Sequence, residues 1–270
     1  MSGVWTIDRD VSVSVQEPGQ GRLLAVWGPA GAPGRTTTAL MLAESLAERG
    51  RTAIIDADTA APSLALQLGL AEDLSGIILA CRHAELGSLT NRTLMSSMSK
   101  LSEQYFALTG LAHPRRWPEL RPTALGRVFD QVRRDFSYAV VDIGACFDAD
   151  STGLLSPLAA ANSALAAADV VVAVCHAEPL GVARFLGDFP ELAALGLPIV
   201  AVITSGSQRD HTRQLILEAG SRLGVTFPVA DLGMDARSLR KTLLRGSAVG
   251  AGRSLVKKSR PAACLVDLVA

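Results

Sequence analysis

The sequence lacks the residue patterns that define several large classes of protein. Only four of its 270 residues are cysteine, and no two of them form a C-x-x-C pair, which argues against a zinc site, an iron–sulfur cluster and a disulfide framework. No apolar run is long and uncharged enough to cross a membrane, and the N-terminus has no basic segment followed by an apolar core. Aromatic residues make up only 4% of the chain. These absences predict a reduced, cytoplasmic protein whose core is filled mainly by alanine and leucine.

An excess of charge of one sign is also missing, although the charges are unevenly distributed. The chain has 26 basic and 26 acidic residues, but the segment after residue 235 is strongly basic. If residues 235–245 form a helix, four cations share one of its faces: Arg237, Arg240, Lys241 and Arg245. Such a face would attract DNA or anionic lipid. The alternative is a solvated helix whose cations balance the acidic remainder.

Apolar runs alternate with helical patterns from residue 23 onward. Six runs are typical of buried strands, at residues 23–27, 52–56, 105–108, 138–141, 170–174 and 199–203. Their near-continuous apolar character is expected of strands that are covered on both faces, and helices between them favour a mostly parallel sheet. The sequence therefore predicts an α/β fold with three α/β/α layers. We expect one domain over residues 22–270, preceded by an arm or linker at residues 1–21.

A glycine-rich turn joins the first predicted strand to the first predicted helix. A strand, a turn and a helix opened by threonine are the setting of a phosphate-binding loop, because unpaired backbone N–H groups and the helix dipole attract an anion. The match to G-x-x-x-x-G-K-[ST] is imperfect, since Pro29 and Arg35 hold the first glycine and lysine positions. The alternative is a turn that only connects strand to helix. The residues predicted to bind phosphate are Gly31, Ala32, Pro33, Gly34, Arg35, Thr36 and Thr37.

Carboxylates follow two of the predicted strands, at the edge where open α/β sheets bind ligands. Asp56 and Asp58 end the second strand, and Asp142 follows four apolar residues in the manner of a Walker B aspartate. Taken singly, each aspartate is more often a helix cap or a loop residue. Together, after a phosphate loop, they predict a P-loop NTPase sheet in which Thr36 and Asp142 hold Mg²⁺ or its waters.

These motifs resemble those of the ParA/MinD ATPases, which have a deviant Walker A loop. Within that superfamily the sequence is most similar to CpaE/TadZ-like proteins, especially actinobacterial forms with GAPGRTT loops that are often linked to pilus assembly or septum siting. The likeness covers roughly residues 22–270. The segments that carry it are 27–37, 56–58, 108–111, 116–117, 168–172 and Gly246.

The resemblance implies an ATP-binding homodimer that sandwiches two nucleotides, as ATP or ADP with Mg²⁺, and acts as a spatial switch. Such a switch localises a pilus-assembly or secretion, division or partition machinery, and a partner recruits it to the membrane or pole. The resemblance also assigns Asp58 a catalytic place near the attacking water, and it places Asp56 and Asp142 in the Mg²⁺ shell. It assigns Pro228 and Asp231 to a segment that contacts the base.

Several positions depart from the family pattern. The family's lysine that reaches across the dimer is Ala30 here, and its second lysine is Arg35. Because phosphoryl transfer depends on positive charge at the transferring group, we expect weak or absent ATP hydrolysis. Arg115 or Arg116 could supply the missing charge, although a solvated loop is the simpler interpretation. The family's base-contacting asparagine is replaced by Thr204 or Ser205.

Other functions stay open from the sequence. A degenerate loop is compatible with a non-hydrolysing scaffold that recruits partners, and the basic segment is compatible with a partition ATPase that binds DNA non-specifically. A small-molecule kinase on a P-loop fold would need a lid, and no arginine-rich lid motif is evident in the sequence.

Overall fold

The computed structural model of the chain describes residues 20–31, 34–70, 75–148, 155–204, 206–232 and 260–269. Within these residues eight strands form one sheet: β1 (Arg22–Trp27), β2 (Thr52–Ala57), β3 (Ser99–Lys100), β4 (Tyr105–Leu108), β5 (Tyr138–Ile143), β6 (Val170–Cys175), β7 (Ile199–Ile203) and β8 (Val229–Asp231). Their order across the sheet is β3-β4-β2-β5-β1-β6-β7-β8. All neighbouring pairs are parallel except β3 with β4.

The strands are buried because apolar side chains leave both faces of the sheet. In β1, Leu23, Ala25 and Trp27 pack into the core on one face. Leu24 and Val26 pack into the core on the other. Because successive side chains of a strand point to opposite faces, an entirely apolar strand must be covered on both sides.

Helices form a layer on each face of the sheet. They are α1 (Arg35–Ala47), α2 (Leu64–Leu68), α3 (Gly76–Glu85), α4 (Asn91–Ser96), α5 (Pro122–Asp135), α6 (Ala159–Ala167), α7 (Pro179–Ala194), α8 (Arg209–Arg222) and α9 (Arg260–Val269), with a 3-10 helix at Pro114–Glu119. The helices α1, α2 and α9 pack on the Leu24 face, and α3 to α8 pack on the Trp27 face. Of the helices described, none combines the length and apolarity needed to cross a membrane.

The predicted three-layer α/β fold with a mostly parallel sheet is confirmed, and all six predicted strands are present. The sequence did not indicate β3 and β8, which have only two and three residues and so show no periodicity. The predicted basic helix at residues 235–245 lies outside the described residues. So does the predicted arm, apart from its last two residues, of which Gly21 donates its N–H to the Arg133 carbonyl at 2.7 Å.

An ion pair fastens the sheet at its amino-terminal edge. The Arg133 guanidinium of α5 donates to both carboxylate oxygens of Asp169, at 2.7 and 2.8 Å, just before β6. Asp169 also accepts the Leu23 N–H at 2.7 Å. This contact connects α5 to the starts of β1 and β6. The loops that follow the parallel strands lie at the opposite, carboxyl-terminal edge of the sheet.

Candidate functional site

The loop between β1 and α1 takes a conformation that requires glycine at two positions. Gly31 has φ +69° and Gly34 has φ +109°, in the left-handed region that other residues rarely adopt. Gly34 is the N-cap of α1 and provides no side-chain cap. The first backbone N–H groups of a helix need partners from outside the helix, so this thirteen-residue helix presents uncapped donors at the carboxyl-terminal edge of the sheet.

Arg35 lies across the base of this loop and is held by Asp58, the residue that follows β2. Its Nη1 donates to the Gly28 carbonyl at 2.9 Å, and its Nη2 pairs with Asp58 Oδ2 at 3.1 Å. The other Asp58 oxygen accepts the N–H groups of Ala60 and Ala61, both at 2.9 Å. The Asp58 carboxylate therefore has a donor on each oxygen, and the Arg35 charge is already paired.

Asp56 is saturated with backbone hydrogen bonds. Its Oδ2 accepts the N–H groups of Ser63 and Leu64 at 3.1 and 3.0 Å, and its Oδ1 accepts the Asp58 N–H at 3.1 Å. These bonds fix the turn from β2 into α2. Burial raises the pKa of Asp56, and the nearby Asp58 charge adds to this effect, while the backbone hydrogen bonds lower it.

Asp142 is the acid with an open oxygen. It lies beside Asp56 in the β2–β5 register, and only 2% of it is exposed. The Thr36 hydroxyl is close enough to Asp142 to lower the pKa of its carboxyl, and it lies 3.2 Å from the Ser63 hydroxyl. Oδ1 of Asp142 has no hydrogen-bond partner among the described residues. Burial, followed by the charge of Asp56, raises the pKa of Asp142, while Thr36 and Arg35 lower it.

A buried carboxylate oxygen without a partner is costly, so a donor or a cation is expected there. The described residues contain no cluster of three or more His, Cys, Asp or Glu side chains that could hold a metal ion. Mg²⁺ does not need such a cluster, because it is commonly held by one or two carboxylates, waters and substrate phosphates. The Thr36 hydroxyl and Asp142, which lie together, supply a donor set of this kind.

Sequence reasoning missed a cation on the loop. Arg184 of α7 donates from Nη1 to the Ala30 carbonyl at 2.9 Å. A Cβ atom on Gly31 would lie only 2.6 Å from the same nitrogen. The sequence gives no signal for this contact, because 154 residues separate the two partners and only the packing of α7 brings them together.

The arginines that the sequence offered as substitute cations are placed elsewhere. Arg116 is bound to Glu119, at 2.6 Å from Nε and 3.1 Å from Nη2. Arg115 lies in the same 3-10 helix, and its backbone N–H donates to the His113 ring at 3.2 Å. Among the described residues, neither side chain is hydrogen-bonded to the loop, so their role in charge supply stays a prediction.

The predicted base-contacting residues lie farther along the sheet. Thr204 is buried, and its hydroxyl donates to the Cys175 carbonyl at 3.3 Å. Asp231 ends β8 at the carboxyl-terminal edge, 3.5 Å from Arg209. Pro228 precedes β8, and its carbonyl accepts the Ala201 N–H at 3.0 Å, so it lies below that edge. A contact of Pro228 or Asp231 with a base stays a prediction.

The sequence predicts four more residues at the site. Thr37 lies half-buried in the first turn of α1. Ala32, Pro33 and Ser205 lie outside the described residues.

A cavity of about 280 Å³ borders the site on its β4 side, with Asp56, Leu66 and Pro114 in its wall.

Comparisons with known proteins identify the fold. No family model matches the sequence, and no curated protein matches it. Among solved structures, a ParA family ATPase from Chlorobium tepidum TLS is similar with a TM-score of 0.70 and 15% identity, over 92% of this chain and 97% of that one. The septum site-determining protein MinD from Pyrococcus horikoshii OT3, complexed with Mg-ADP, is similar with a TM-score of 0.64 and 17% identity, over 92% and 94%.

A third solved structure, an ATP complex of a McdA variant from Cyanothece, has a TM-score of 0.60 and 16% identity, over 85% of this chain and 89% of that one. At this level of identity these structures show that the chain has the ParA/MinD fold, as the sequence predicted. The narrower CpaE/TadZ-like likeness stays a prediction.

Proposed function

We propose that the chain is a nucleotide-binding spatial switch that takes ATP or ADP with Mg²⁺ in the loop between β1 and α1. The observation that carries the proposal is the buried Asp142 oxygen that has no hydrogen-bond partner among the described residues. It lies next to the Thr36 hydroxyl, at the start of a helix whose glycine N-cap has no side chain to occupy the first N–H donors. The ADP and ATP complexes of proteins with the same fold support this choice of ligand.

In this proposal, different groups of the chain bind the phosphates and the magnesium ion. The uncapped N–H groups of α1 and the hydroxyl of Thr37 bind phosphate oxygens, and the glycines at 31 and 34 let the backbone approach them. Thr36 and Asp142 hold the magnesium ion, which neutralises phosphate charge when bound. Asp56 positions α2 and contributes negative charge to the ion from behind Asp142, because its own oxygens are already occupied by backbone donors.

We further propose that ATP hydrolysis by this chain is slow or absent without a partner. Asp58 is the acid assigned to the attacking water, yet Arg35 and two backbone N–H groups occupy its oxygens. Arg35 is in turn held by Asp58 and the Gly28 carbonyl. Both groups must rearrange before they can act on a γ-phosphate or a water, which adds a cost to the reaction.

The proposed switch is a homodimer that forms with ATP and recruits the proteins of a pilus-assembly or secretion, division or partition machinery. A partner brings it to a membrane surface or a cell pole, since no helix among the described residues could serve as a membrane span. The paired Arg35 and Asp58 favour a second candidate, a scaffold that binds nucleotide without turning it over.

Sedimentation of the purified chain tests the proposed switch. We expect a monomer with MgADP and a dimer with MgATP, and we expect no ATP-dependent dimer for Thr36→Ala, with Thr36→Ser as the variant that keeps the hydroxyl. A sedimentation coefficient that is the same without nucleotide, with MgADP and with MgATP would contradict the switch. Phosphate release at ~1 s⁻¹ or faster, in the range of ordinary enzymes, would contradict slow hydrolysis and exclude the scaffold.

A further inference from the structure

The candidate site has a shortage of positive charge. Asp56, Asp58 and Asp142 are buried together at the edge of the sheet, and Asp56 lies opposite Asp142 in the β2–β5 register. Arg35 is the loop cation that faces them, and its charge is already paired with Asp58. A nucleoside triphosphate keeps a net negative charge even with Mg²⁺ bound, so a further cation that is not already paired favours its binding.

Arg184 lies on the loop, where its guanidinium can supply that charge. Its guanidinium lies on the loop, with one N–H donated to the Ala30 carbonyl at 2.9 Å. No carboxylate forms an ion pair with it among the described residues. A guanidinium has five N–H donors, so most of its donors remain available to a ligand while it keeps the Ala30 contact.

The packing of α7 fixes this position. Phe185, the next residue along the helix, is fully buried, and its ring centre lies 6.0 Å from that of Trp27 at the end of β1. Phe189, one turn later, stacks on Phe185 at 5.4 Å. Because Arg184 lies beside this buried face, the strand that leads into the loop also anchors the helix that carries the cation.

We propose that Arg184 is a phosphate-binding residue, which supplies to the loop from its own chain the positive charge that Ala30 and the paired Arg35 do not. The ligand class is the β- or γ-phosphate of a nucleoside di- or triphosphate, and the proposal therefore rests on the proposed function. Because the cation comes from the same chain, one chain binds the nucleotide without a second copy.

Calorimetric titration of MgATP into the full chain tests this role. The variants are Arg184→Ala, Arg184→Lys, which keeps the charge without the fork, and Arg222→Ala. Arg222 is the matched control, because its side chain is 82% exposed near the end of α8, away from the loop. Loss of a charged hydrogen bond to phosphate weakens binding roughly tenfold to a hundredfold. We expect that loss for Arg184→Ala, a smaller one for Arg184→Lys and less than twofold for Arg222→Ala.

Two further readouts separate phosphate binding from a structural role. Added salt should weaken MgATP binding more in the parent than in Arg184→Ala, because the variant has one fewer ionic contact. The melting temperature without nucleotide should be the same in the parent and Arg184→Ala, since Arg184 is exposed.

Each opposing result has a distinct meaning. If Arg184→Ala binds MgATP as tightly as the parent, the inference is wrong and the proposed function stands. If that variant binds more tightly, Arg184 obstructs the loop and the inference is again wrong. If the parent binds no nucleotide, the inference and the proposed function fail together.

Discussion

The three aspartates at the edge of the sheet differ in what surrounds each carboxylate. Asp56 accepts three backbone N–H groups and shapes the β2–α2 turn. Asp58 holds Arg35. Asp142 lies near the Thr36 hydroxyl and has one oxygen without a hydrogen-bond partner among the described residues. The acid with spare acceptor capacity is therefore the best candidate for the metal, and Asp58 stabilises the free loop.

The Asp58→Ala substitution tests this division at the residue scale. It leaves the Arg35 guanidinium, whose side chain is only 17% exposed, without its carboxylate, and it removes the acceptor for two N–H groups. Breaking a buried ion pair in this way should lower the free energy of unfolding by about 3 kcal/mol, measured by urea denaturation.

Asp188→Ala is the control for that measurement, because Asp188 is exposed on α7, and surface substitutions usually change stability by less than ~0.5 kcal/mol. Equal stability of the two variants would show that the Arg35–Asp58 pair contributes nothing to the folded chain.

Part of the site could be predicted from the sequence because it depends on local patterns. Parallel strands end at a common edge, so the acids at the ends of β2 and β5 are expected near a loop that follows β1, and Thr36 does lie near Asp142 there. Side-chain pairing was not predictable. The sequence shows an arginine at the lysine position of the loop, but only the fold shows that Asp58 holds it.

At the scale of elements, the strands with at least four residues could be predicted from the sequence as apolar runs, and the shorter strands β3 and β8 could not. All six predicted strands have at least four residues. The position of α7 over the loop also escaped prediction, because it depends on Trp27 packing against Phe185. That contact is non-local, and it is what brings Arg184 to Ala30.

Truncation of the buried aromatic side chains of α7 and α5 separates local from global effects. Phe185→Ala and Phe129→Ala each remove a fully buried ring from the same face of the sheet, and each should lower the free energy of unfolding by about 3–5 kcal/mol. Only Phe185→Ala loosens α7, so it alone should also weaken MgATP binding.

Calorimetry at a temperature where both variants are folded, as checked by circular dichroism, measures the difference. Equal losses of affinity in Phe185→Ala and Phe129→Ala would mean that α7 packing has no special connection to the loop.

The charge of the whole molecule separates into a basic segment after residue 235 and an acidic remainder. The predicted basic face, which comprises Arg237, Arg240, Lys241 and Arg245, lies outside the described residues, and DNA binding through it stays a prediction. If it binds DNA, affinity should fall by roughly one power of salt concentration for each phosphate neutralised.

A DNA titration at two salt concentrations, with and without MgATP, compares the parent with the variant in which all four cations are alanine. We expect low-salt binding by the parent and its loss in the variant. No binding by the parent at low salt, or equal binding by the variant, would mean that the basic face is a solvated surface.

The central claim for the whole molecule is that Thr36 and Asp142 make the loop a magnesium-dependent nucleotide site. The most direct measurement is a calorimetric titration of ATP into the parent, Thr36→Ala and Thr36→Ser, with Mg²⁺ and again with EDTA. We predict that the parent and Thr36→Ser bind ATP with Mg²⁺, that EDTA weakens this binding, and that Thr36→Ala binds weakly in both conditions. The claim would be contradicted if the parent bound ATP equally tightly with Mg²⁺ and with EDTA, and if Thr36→Ala bound ATP as tightly as the parent.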